Sequence, residues 1–93
     1  MASQYDPFEG ISVFDDKGEV KSLVDRIIQE TDPEVVIDRM RKVDFSYVFT
    51  LSKRNRSTEV ELSRSEIEAS WAWRRGQVDE GLQKKIEKAI AAL

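Results

Sequence analysis

Cysteine and histidine are both missing from the 93 residues. The first absence excludes disulfides, thiolate nucleophiles and every thiolate metal site, and it leaves the redox compartment unmarked. The second removes the side chain that most often moves protons near neutral pH, together with the commonest nitrogen ligand of transition metals. Proline occurs twice and glycine four times, and neither is gathered into a linker or a low-complexity tract. No apolar run approaches the ~20 residues of a membrane helix, and the start, Met-Ala-Ser-Gln-Tyr-Asp-Pro, lacks the basic and then apolar order of a secretory signal. A soluble, cytoplasmic protein is the expectation. An excess of one charge is lacking too. With 15 basic and 18 acidic side chains and a net charge of −3, no global field draws the chain toward nucleic acid or anionic lipid.

What is present is the material of one folded domain spanning residues 1–93, with 40% hydrophobic and 35% charged residues, within the range of compact proteins. Phe45, Tyr47, Phe49 and Leu51 occupy alternate positions, as do Thr58, Val60 and Leu62. Both runs have the period at which strand side chains share a face. The polar stretch from Ser52 to Ser57 separates them, with Asn55 suited to a left-handed turn. This predicts a hairpin over 45–62 with one apolar face, which is marginally stable alone and needs helices over it.

Residues 1–10 read as an irregular arm that Tyr5 and Phe8 pin to the body, and Ile11 to Phe14 as a third strand or an extended lead-in. Val20, Leu23, Val24, Ile27 and Ile28 form the stripe of an amphipathic helix. Thr31-Asp32-Pro33-Glu34 reads as the capped start of a second helix running to about Lys42, with Val36, Met40 and Val43 on one face. Ser63-Arg64-Ser65-Glu66 is an S-x-x-E capping box flanked by Leu62 and Ile67, predicting a third helix from Ser63 to Arg75 with Gly76 as its left-handed cap. Asp79 and the stripe Leu82, Ile86, Ala89, Ile90, Leu93 predict a fourth. The fold expected is α+β, a small antiparallel sheet covered on one face by three or four helices.

Three places invite a functional reading. Lys53, Arg54 and Arg56 put three cations at the hairpin tip, where they suit phosphate or groove contacts; a solvated turn explains them equally, and Glu59 and Glu61 oppose such contacts. Trp71 and Trp73 stand about 200° apart on a helix, so both cannot face one core. Trp71 shares a face with Ile67, which leaves Trp73 with Arg74 and Arg75, the composition of an interface hot spot, unless Trp73 packs under the last helix. The helix pair around Thr31 is a weak helix-turn-helix match without the turn glycine. The carboxylates Asp15, Asp16 and Glu19 fail the EF-hand spacing at Val13. No phosphate loop or nucleophile elbow occurs.

The expectation is therefore a non-enzymatic protein-interaction module without cofactor or metal, self-associating as a dimer through Trp73, Arg74 and Arg75. If the first strand leaves it free, the edge at Phe45 to Leu51 offers a second route. Nucleic-acid binding through Lys53, Arg54 and Arg56 is the alternative, and no membrane role is expected.

Overall fold

The computed structural model describes residues 12–93; the arm expected over residues 1–10, with Tyr5 and Phe8, lies outside them. Among the described residues the architecture is α+β, with three α-helices and a three-stranded antiparallel sheet in the order β1-β2-β3. Helix α1 spans Lys17–Thr31, and α3 spans Glu80–Ala91. Their N-caps are Asp16 and Asp79, whose carboxylates accept from the Glu19 and Leu82 backbone N–H groups. Each satisfies a donor that has no partner within its helix. Val20, Leu23, Val24, Ile27 and Ile28 of α1 and Leu82, Ile86, Ala89 and Ile90 of α3 are buried, the stripes their spacing predicts.

Strand β2, Ser46–Lys53, buries Tyr47, Phe49 and Leu51, and β3, Arg56–Ser63, buries Val60 and Leu62. These five side chains join those of α1 and α3 in one hydrophobic cluster. Phe14 locks into it: its ring meets Tyr47 edge-on at 4.9 Å, and the Tyr47 hydroxyl donates to the Phe14 carbonyl at 2.6 Å. Burial of the phenol, reinforced by Asp15 and Asp16, raises the Tyr47 pKa above its ordinary value.

The helix expected over 31–42 is instead a strand, β1, Val36–Val43. It supplies the third strand that residues 11–14 were expected to add; Val13–Asp15 form a 3₁₀ turn. The physical reason lies in a bulge. Ile37, Met40 and Lys42 oppose the core-facing Leu51, Phe49 and Tyr47, and the register shifts between Ile37 and Arg39. The extra residue at Asp38 breaks the two-residue alternation, so Val36, Met40 and Val43 mimic helical spacing although Met40 projects to the face opposite the other two. Thr31-Asp32-Pro33-Glu34 caps no helix start. The Thr31 hydroxyl bonds back to the Ile27 carbonyl, and the Asp32 carboxylate accepts from the Glu34 N–H at 3.1 Å. That local turn closes two residues on, where a capping box closes three on. With no second helix there, the helix-turn-helix reading falls.

Two further corrections concern the hairpins. Phe45 lies in the Asp44-Phe45 turn between β1 and β2 and is 69% exposed. The left-handed turn residues are Asp44 (φ 51°) and Arg54 (φ 59°), not Asn55.

After β3 the capping box forms as predicted: the Ser63 hydroxyl accepts from the Glu66 N–H while the Glu66 carboxylate accepts from the Ser63 N–H at 2.9 Å. The helix it opens, α2, covers only Arg64–Glu68. Beyond it the winding tightens to three-residue closures, with Ser70 N–H bonded to Ile67, Trp73 to Ser70 and Gly76 to Trp73. At three residues per turn, side chains three apart eclipse, and Ile67, Ser70 and Trp73 are all buried, with Ala72 buried beside them. Gly76 closes the segment with φ 88°, the left-handed cap its type predicts.

Candidate functional site

The tightened segment exchanges the two indoles. Trp73 is 5% exposed and belongs to the core cluster, whereas Trp71 is 59% exposed. The packing of Trp73 follows from its neighbours: the Arg74 guanidinium lies 4.4 Å from its ring centroid and that of Arg26 lies 5.9 Å away. Arg74 also pairs with Glu19, and hydrogen bonding to that carboxylate raises its pKa. Arg75 stands 5.6 Å over the exposed Trp71 ring. Of the expected trio, Trp73 is therefore a core residue of its own chain, and the aromatic available beside Arg75 is Trp71.

A cavity of about 190 Å³ opens beside Trp73, lined among others by Arg26, Glu30, Gly76, Val78 and Gln83. Among the described residues the buried Trp73 Nε1–H has no hydrogen-bond partner.

At the hairpin tip, two of the three cations are engaged. Lys53 Nζ sits 2.7 Å from the Asp32 carboxylate, and Arg54 sits 3.3 Å from Glu34. The Lys53 hydrogen bond, helped by the Glu34 N–H, holds the Asp32 pKa below its ordinary value. Arg56 is exposed. The tip thus meets acids from the turn between α1 and β1, which locally compensate the charge that a phosphate would seek.

The sheet face turned away from the core carries a pattern that local spacing does not reveal, because its basic half lies on β1, whose apolar spacing resembles a helix. Register places Arg39, Thr50 and Glu59 in one row across the three strands, and Arg41, Val48 and Glu61 in the next. Val36 and Val43, 53% and 40% exposed, stand at the two ends of β1 on the same face. Arg41 reaches Glu59 diagonally at 3.8 Å, both side chains being substantially exposed. Basic residues thus flank one side of the face, acidic residues the other, with Val48 and Thr50 half-buried between. None of these side chains belongs to the hydrophobic cluster.

Neither sheet edge invites strand addition. The expected free edge at Phe45 to Leu51 does not exist, because β2 is the central strand and pairs with β1 on one side and β3 on the other. The β1 edge is bulged at Asp38 and rich in charge. On β3, Lys85 Nζ donates to the Glu61 carbonyl at 3.3 Å. Bulges, edge charges and capped carbonyls are the devices by which proteins discourage edge pairing.

Among the described residues no group of three acidic side chains is placed to hold a metal ion, and no helix is long and apolar enough to cross a membrane. No family model, curated protein or solved structure matches the chain.

Proposed function

We propose that the protein is a non-enzymatic interaction module that associates with a second copy of itself. The observation that carries this reading is the outward sheet face. It holds the exposed Val36 and Val43, the half-buried Val48, and a charge pattern of both signs. Apolar groups rimmed by charge are the ordinary composition of a contact surface. Trp71 stacked with Arg75 supplies a second, smaller contact of hot-spot composition.

The ion pairs at Lys53 and Arg54 favour this reading over nucleic-acid binding through the hairpin tip, since a phosphate must displace Asp32 and Glu34 to reach them. Sedimentation equilibrium of the full chain from micromolar to millimolar concentration tests the proposal. The expected outcome is a mass that rises toward twice that of the monomer. A monomer throughout the range overturns it.

A further inference from the structure

The pattern on the outward face determines how two copies fit. Taking self-association as given by the preceding proposal, we infer that the dimer forms by packing this face on its own copy about a two-fold axis running along the strands, which sets Arg39 and Arg41 of each copy against Glu59 and Glu61 of the other. With the strands of the two copies kept roughly aligned, as packed sheets commonly are, two kinds of two-fold axis bring this face onto itself, one along the strands and one across them. The axis across the strands lays β1 on the partner's β1, arginine against arginine, and β3 on the partner's β3, glutamate against glutamate. The axis along the strands lays β1 on the partner's β3. Because a closed two-fold dimer admits no translation along its axis, rows stay level: Arg39 meets Glu59 of the partner subunit, and Arg41 meets Glu61 of the partner subunit.

The centre of the face suits the same arrangement. Val48 and Thr50 lie on β2, the strand nearest the axis, so each faces its own copy. Face-to-face sheets pack about 10 Å apart with strands within about 30° of aligned, a gap that arginine and glutamate side chains together span. Four intersubunit pairs then compete with one exposed intramolecular pair in each copy, Arg41 with Glu59 at 3.8 Å, and such exposed pairs contribute little by themselves. Three eight-residue strands present roughly 26 Å by 14 Å, short of the ~800 Å² per partner of a standard stable interface. The association is accordingly expected to be weak and concentration-dependent, and salt weakens it further.

Charge reversal tests the arrangement. Arg39→Glu with Arg41→Glu makes one variant, and Glu59→Arg with Glu61→Arg makes the other; circular dichroism confirms that each is folded. Each alone is expected to dimerise at least tenfold more weakly than the natural chain in sedimentation equilibrium, while an equimolar mixture recovers a heterodimer of natural strength. The four-residue swap, which restores composition and complementarity within one chain, is expected to dimerise with itself, and it decides the matter if either double variant fails to fold. Dimerisation indifferent to both reversals overturns the inference and leaves self-association standing through another surface. Loss in both variants without recovery in the mixture or the swap overturns this axis. A natural chain that stays monomeric removes the parent proposal itself.

Discussion

Trp71 and Trp73 differ by two positions and by most of their exposure, 59% against 5%. Their types cannot tell which is which; the winding of the backbone between Ile67 and Trp73 does. Under α-helical geometry Ile67 and Trp71 align, and under the tighter geometry Ile67, Ser70 and Trp73 align. Ser70 holds the tighter form. Its hydroxyl donates to the Glu66 carbonyl at 2.9 Å and accepts from the Asp79 N–H at 3.0 Å, tying this segment to the start of α3. Trp73→Ala is therefore expected to lower stability by about 3–5 kcal/mol, the usual cost of emptying a large core site, and Trp71→Ala to change it by less than about 0.5 kcal/mol. Urea denaturation of the two variants measures the contrast, and equal losses contradict the exchange.

Among the elements, those with strong local signals match their sequence and those governed by a phase break do not. Helices α1 and α3 carry an uninterrupted stripe and an aspartate cap, and both stand where periodicity places them. The hairpin of β2 and β3 likewise follows its alternation, apart from Phe45 at its margin. Strand β1 was illegible because one bulged residue erases a period of two and leaves apolar spacing that resembles a helix. The outward face was hidden with it, since Arg39 and Arg41 acquire their rows only through pairing with β2. At α2 the capping box was legible but the helix length was not. Ser63 joins strand to helix, and Glu66 joins that helix to α3 through Lys85 Nζ at 2.9 Å. Ser63→Ala is expected to cost about 1 kcal/mol, the typical worth of an N-cap, read from the shift in urea midpoint.

For the whole molecule, the carboxylates that tie elements together set the response to acid. Asp32 has a lowered pKa because of Lys53 and the Glu34 N–H. Glu68 is lowered by the Ser12 hydroxyl and by Arg64, which together outweigh the opposing effect of burial. Burial pulls Glu66 upward, but the Ser63 N–H, Lys85 and the Ser63 hydroxyl together outweigh it and leave the pKa lowered. A group with a depressed folded pKa contributes stability above its unfolded value and loses it as pH falls through the folded one. The unfolded values are near 3.8 for Asp32 and 4.5 for the glutamates. The contribution is thus complete at neutral pH and declines below pH 4.5. Tyr47 acts at the other limb: its raised pKa gives a contribution present below pH 10.0 and lost as pH climbs beyond it. Urea midpoints measured from neutral to strongly acid pH are expected to fall, and Asp32→Asn to flatten that fall while lowering the neutral value.

The amino-acid sequence by itself determined the two long helices, the central hairpin, the cap at Ser63 and the stop at Gly76, because each rests on side chains within a few residues of one another along the chain. Tertiary structure alone decided that 36–43 is a strand, that Trp73 enters the core in place of Trp71, that Asp32 and Glu34 answer the basic tip, and that arginine and glutamate line opposite sides of one open face. Those outcomes depend on partners 20 or more residues away in several cases, such as Arg54 with Glu34. Local propensity is silent about such partners, and Met40 and Ile37 find theirs in the hydrophobic cluster, against which they pack partly buried.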